Sequence, residues 1–261
     1  MAAAYNAIFF EPLLNILIFL YNTIAFEDLG LAIILLTLFV RFVLYPVFHK
    51  SVRHQAIMQR LQPQVKKIQD QYPTSKQKQG EAMMALYREN KVNPFSGILL
   101  LIVQLPILIA LFQIFRNILD PATLDAVYSF VQTPLHINTN FLGSELIPLE
   151  ERNIVIVALA ALTQYFQGRL SLPKIEKSRT LTQAEKVGRQ MVYIAPGMTL
   201  VILYNLPAAI GLYWLTTALF SIVQQKIVNR KLANDQLGDL RKKADGNQRV
   251  QRLGSGDRRG T

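Results

Sequence analysis

Cysteine is absent from the 261-residue chain, which excludes disulfides, thiolate nucleophiles, thiolate metal sites and a lipid-modified N-terminal cysteine, and leaves the redox compartment unread. Catalytic motifs are missing as well. There is no HExxH pair, no GxSxG nucleophile elbow and no phosphate loop, and none of His49, His54 and His136 lies in an apolar run beside a carboxylate. The long apolar runs contain no Asp or Glu, whereas a proton-coupled transporter usually places a carboxylate or histidine in the membrane. The expectation is a protein that is not an enzyme and uses no cofactor or metal. The N-terminus has no basic n-region and no convincing cleavage site, so no removable signal peptide is expected.

What the chain does have is apolar length. Half of its residues are apolar and its mean hydropathy is positive, as in a small polytopic membrane protein. A span needs about 20 mostly apolar residues to cover a hydrocarbon core about 30 Å thick. Five spans are read at about 29–48, 95–115, 153–168, 191–204 and 208–225, the last two separated by the turn Asn205, Leu206 and Pro207. The run from Met191 to Asn205 gives about 22 Å of helix, which would favour local thinning of the bilayer. Residues 8–26 carry a narrow polar stripe, Glu11, Asn15 and Asn22, on one helix face. They form either an additional span or an amphipathic helix in the plane of the interface, and the in-plane reading of 1–28 is preferred.

Between the first two spans, 51–93 is basic and helical in rhythm, with Ile57, Leu61, Val65, Ile68 and Tyr72 at spacings of three and four. Pro63 interrupts it, and Thr74 with Gln77 offers a capping-box start for its second half. This is a helical hairpin outside the bilayer, whose apolar stripes are expected to pack on each other. Residues 117–151 form a mixed, acidic loop, and 229–261 a basic tail expected to be disordered.

Charge orients these parts. The hairpin with Lys50, the loop 169–189 and the tail from Lys226 hold 25 of the 28 Lys and Arg, whereas the opposite side has only Arg116 and Arg152 against eight acidic residues. The positive-inside rule puts the first group in the cytoplasm, with the N-terminus outside.

Only Arg41 is charged deep in a span. An arginine there costs roughly 2.5 to 3.5 kcal/mol on the insertion scale. Its head either snorkels to the nearby membrane face or enters a polar cavity. Thr37, one turn earlier, and Gln104, Gln113, Gln164, Gln167, Thr216, Thr217 and Gln224 from other spans are the groups available to line such a groove. A lone positive charge in a groove would draw acidic or polar chain segments into the membrane, which outlines an insertase. A small-solute channel or transporter and a membrane scaffold are the competing classes.

Four stretches carry a resemblance: LLTLFVRFVLYP (35–46), LQPQVKKIQDQY (61–72), MMALYRENKVNPFSGILLLIVQLPILIALF (83–112) and GLYWLTTALFSIVQQ (211–225). In order and separation they resemble the YidC family of membrane-protein insertases across residues 8–228. The resemblance implies an all-α polytopic protein of the bacterial inner membrane, with an insertase core at 29–228 and five spans around a hydrophilic groove. It further implies an interfacial N-terminal helix and a mobile cytoplasmic hairpin; with no large periplasmic domain before the first span, the chain departs from the longer members and looks like the short bacterial form. By motif position Arg41 matches the family's groove arginine, and Thr37, Gln167, Tyr213 and Trp214 fall at groove or substrate-contact positions. The partners implied are nascent membrane proteins, membrane lipids, the ribosome through the basic tail, the Sec translocon and the signal recognition particle pathway.

Overall fold

The computed structural model describes residues 2–172 and 181–256. Every regular element among them is helical: α1 (Ala2–Tyr5), a π-helical turn (Asn6–Phe10), α2 (Glu11–Thr23), α3 (Leu29–Val43), α4 (Tyr45–Arg60), α5 (Gln62–Gln71), α6 (Lys76–Glu89), α7 (Ser96–Asn117), the short α8 (Pro121–Leu124), α9 (Ile154–Ser171), α10 (Gln183–Tyr204) and α11 (Ala208–Gly256).

Prolines and polar caps explain where these helices stop. The first expected span, 29–48, is broken at Leu44, and α4 departs from α3 at 71°. Pro46 has no N–H and its ring would strike the carbonyl of Phe42 in a continuous helix, so the chain turns there. Pro63 sits in the first turn of α5, where it is tolerated. The cap of α6 is Ser75, whose hydroxyl accepts from the Lys78 N–H, rather than Thr74 with Gln77. A reciprocal capping box lies instead at the start of α10, between Thr182 and Glu185. That helix is 22 residues long and begins well before Met191. The shortness inferred for this span therefore belongs to its apolar stretch and not to its helix.

Among the described residues, by length and apolarity alone, three helices can cross a membrane, Ala3–Thr23, Ser96–Asn117 and Ile154–Ser171, or four if the bent α3 and α4 pair counts as one. α11 misses that measure because Thr216, Thr217, Ser221, Gln224 and Gln225 lie in the stretch that would cross. α11 also continues without a break to Gly256, so most of the tail read from composition as disordered is drawn as helix. Extending an existing helix avoids the cost of nucleation, and Lys, Arg, Leu, Gln and Ala all propagate it well.

Packing is uneven along the bundle. At the end away from the hairpin, Leu14, Leu17 and Ile18 of α2, Ile33 and Leu36 of α3, Leu111 and Ile114 of α7, Val157 of α9 and Ala208 of α11 form one core. Toward the hairpin, α7 and α9 contribute less to this core, and Ile98, Leu101, Ile102 and Leu105 of α7 and Leu162 and Phe166 of α9 are exposed. The hairpin has its own core of Leu61, Val65, Leu86, Tyr87 and Val92, as its two apolar stripes require. It is tied to the bundle at its first bend. Arg60 donates to the Leu232 carbonyl and the Thr182 hydroxyl to the Gln62 side chain, while Ala56 packs on Val228 and Leu232 of α11.

The polar stripe of α2 turns out to hold a loop. Asn15 is buried; its amide donates to the Ala126 carbonyl, and its carbonyl oxygen accepts from the Tyr128 N–H. Asn22 donates to Gln132, and the Tyr21 hydroxyl accepts from the Asn138 N–H. The loop thus runs alongside α2 and then meets the α2–α3 turn. There Asp28 caps α3 through the Leu31 N–H and also accepts from the Leu142 N–H. Gly30 faces Phe141 so closely that a Cβ would overlap the edge of the ring. Gly30→Val is expected to destabilise the protein by about 1–3 kcal/mol through overpacking, visible as a lower melting temperature in detergent, while Gly80→Ala, with open space around it, leaves it unchanged or slightly higher.

Candidate functional site

Arg41 lies in the last turn of α3, and only 8 % of it is exposed. No carboxylate pairs with it among the described residues. Its guanidinium stands over the ring of Phe48, 4.4 Å from the centroid. The kink at Leu44 makes this contact, because it swings α4 back beneath the end of α3. A cation–π contact is worth about 0.5–2 kcal/mol, whereas desolvating an ion costs several. Phe48 alone does not balance Arg41, and a partner of opposite charge would be held strongly.

Across from it, Tyr213 of α11 is buried within electrostatic reach of the guanidinium. The Tyr213 hydroxyl accepts from the amide of Gln104 on α7, and the Thr217 hydroxyl lies beside it. Two turns further along the same face of α11, Gln224 is buried with its amide nitrogen unpartnered. Arg41, Phe48, Gln104, Tyr213 and Thr217 therefore form one polar and aromatic set, on three helices and the start of a fourth, with Gln224 further along α11.

The other candidates are divided. Gln164 of α9 accepts from the Trp214 indole and from the Thr199 hydroxyl of α10, a separate network that ties the last three long helices together. Gln167 is half-buried on α9, and its backbone carbonyl accepts from the Ser171 hydroxyl. The Thr37 and Thr216 hydroxyls bond back to the carbonyls of Ile33 and Leu212, so they soften the helix surface without turning toward the arginine. Gln113 accepts from Tyr5 at the packed end and lies outside the set. Reading the sequence overlooked Phe48 and Thr199. Phe48 lies beyond the break at Leu44, so helical spacing from Arg41 did not signal the contact.

On the hairpin side, His54 of α4 is held below the ordinary histidine range, first by burial and then by Arg53 and Lys50. It is neutral at pH 7. As the pH falls toward the unfolded value, the unfolded chain takes up a proton more readily than the native one, so this group lowers stability in acid.

The family model described as "60Kd inner membrane protein" matches residues 19–235. The Fusobacterium nucleatum protein named membrane protein insertase YidC is 32% identical over 224 residues, 85% of this chain and 97% of that relative. The protein of that name in Chloroherpeton thalassium is 33% identical over 221 residues, which make up 84% of this chain but 35% of that one. Among solved structures, "Active YidC insertase crystal structure with the first transmembrane domain resolved" superposes with a TM-score of 0.53 at 25% identity, over 84% of this chain and 45% of that one.

Proposed function

The chain belongs to the YidC family and is a multi-pass inner-membrane protein that inserts membrane proteins, and from that premise we propose how its residues do so. Arg41 and the polar face of α11 form a hydrophilic groove that gives a client's polar flank a half-way site in the membrane. Nothing is hydrolysed. The client's acidic or polar tail rests against Arg41, Gln104, Tyr213 and Thr217, while its apolar segment leaves into lipid, driven by the hydrophobic effect. The observation that carries this reading is a buried arginine that no carboxylate pairs with among the described residues, set beside Phe48 and the buried Tyr213. It is tested by insertion of a single-span client with a short acidic tail into proteoliposomes holding this protein alone, compared with empty liposomes.

The groove opens toward the hairpin, and the hairpin, the 169–189 loop and the tail lie in the cytoplasm. Charge asymmetry supports this orientation. With no native cysteine in the way, Ser75→Cys is expected to label only from the cytoplasmic side and Leu135→Cys only from the other, using an impermeant maleimide on sealed vesicles.

Residues 8–26 lie in the interface rather than across the bilayer. The irregular loop beside α2 supports this, because its surface is exposed, as at Phe130 and Leu135, and lipid-exposed irregular backbone does not occur within the hydrocarbon.

The basic tail docks on the ribosome, so that clients arrive during synthesis, with the Sec translocon and the signal recognition particle pathway as further partners. Deleting 232–261 is expected to weaken ribosome co-sedimentation strongly at low salt and little at high salt, because phosphate contacts are lost as salt rises. Unchanged co-sedimentation at low salt would dispose of this role.

A further inference from the structure

We propose that the face carrying the 121–151 loop is a second membrane-contact surface, in which five apolar side chains, Phe26, Phe130, Leu135, Leu142 and Leu146, dip into the outer leaflet of the bilayer. The proposal rests on the in-plane reading of α2. Four of them, Phe26, Phe130, Leu135 and Leu146, are between 83 % and 96 % exposed, more than the lipid-facing side chains of the described spans, which reach 69 % at Tyr193 and Val201, while Leu142 at 66 % is comparable with those. All five are on irregular segments, where a free apolar side chain is not explained by a neighbouring helix.

The backbone is built to present them. Phe26 and Leu142 have positive φ, 53° and 54°, a conformation that bulky side chains avoid, and both turns are fixed by the same Asp28 region. Leu142 is held by its N–H to Asp28, and Leu146 lies in the next turn, closed by the Ile147 N–H to Ser144 and the Phe141 N–H to Ile147. Phe130 stacks obliquely with Tyr128, 5.4 Å between rings, where Asn15 pins the backbone. Leu135 stands between the anchors of Asn22 at Gln132 and of Tyr21 at His136 and Asn138. The apolar tips are thus fastened to one rigid frame made of α2 and the start of α3.

Lipid is the occupant that this arrangement fits. The tips alternate along the chain with polar residues, Gln132, Asn138, Asn140 and Ser144, whereas a protein interface concentrates apolar residues at its centre. They continue the lipid-facing surface of the bundle through Phe19 and Ile24. Carboxylates dominate this side, among them Glu27, Glu145, Glu150 and Glu151, so attachment is apolar and needs no anionic lipid. Seating the frame this way would keep the loop end at the outer interface while clients pass on the far side.

The test uses the full chain, which lacks cysteine, with a single environment-sensitive dye at Phe26→Cys, Leu135→Cys or Leu146→Cys in phosphatidylcholine vesicles. Expected are blue-shifted emission, quenching by lipids spin-labelled near the headgroup, and several-fold weaker quenching by aqueous iodide than at a Glu145→Cys label beside them. Iodide access equal to that at Glu145 overturns the proposal; if the same labels are then protected in native membranes, the occupant is a protein. Labels at Ile8→Cys and Ile24→Cys report α2 itself. Equal shallow depth keeps the in-plane reading whatever the tips do, and different leaflets remove both.

Discussion

Arg41→Ala is expected to lower insertion of an acid-tailed single-span client by about thirtyfold, the equivalent of 2 kcal/mol lost when a buried charge no longer meets its partner. Arg41→Lys is expected to lose less than Arg41→Ala. Lysine retains the charge but loses the flat guanidinium that lies over Phe48, so the shortfall should match that of Phe48→Leu, on the order of 0.5–1 kcal/mol or roughly two- to fivefold. The client's charge must matter in step: neutralising its acidic tail should bring wild type and Arg41→Ala together. The readout is protease-protected client per unit time in proteoliposomes of equal protein content. Equal insertion by all three variants would make Arg41 a snorkelling residue and leave catalysis to the uncharged part of the set, with Gln104, Tyr213 and Thr217 the next to be changed.

The arginine was legible because hydrocarbon punishes charge and the chain offers no acid near it. The same holds for the long apolar runs, for the family motifs, and for the hairpin, whose stripes at 57–72 and 83–87 meet in one small core. Partners across the bundle were not legible in this way. Gln104 and Gln164 look alike as single glutamines in greasy helices, yet one turns to Tyr213 beside Arg41 and the other to Trp214 and Thr199. Which face a residue shows depends on helix rotation and on the kink after Val43, and an apolar run without strong periodicity does not encode that rotation. Pro46 was in plain view, but composition extended the span past it because Tyr45, Val47 and Phe48 are themselves apolar.

The stripe of Glu11, Asn15 and Asn22 taught a different lesson, since polarity on a helix announces a polar neighbour without saying whether that neighbour is water, headgroup or peptide. Here it is peptide for both asparagines, and this sets up the last expectation. Asn15→Leu makes α2 more apolar, so if the stripe merely faced the headgroups the change would be close to neutral. Because Asn15 is buried and bonds the backbone at Ala126 and Tyr128, the substitution instead strands a carbonyl and an N–H, at about 1–3 kcal/mol for each. The expected result is a clear fall in melting temperature and faster proteolysis within 121–138 from the side of the loop. Asn22→Ala, whose bond to Gln132 is exposed, should cost well under half as much. Asn15→Asp separates bond from bulk: it still accepts from the Tyr128 N–H but cannot donate to Ala126, and should fall between wild type and leucine. A neutral Asn15→Leu would mean that the loop holds its place without the asparagine, and the frame that supports the apolar tips would then have to rest on Tyr21 and Asp28 alone.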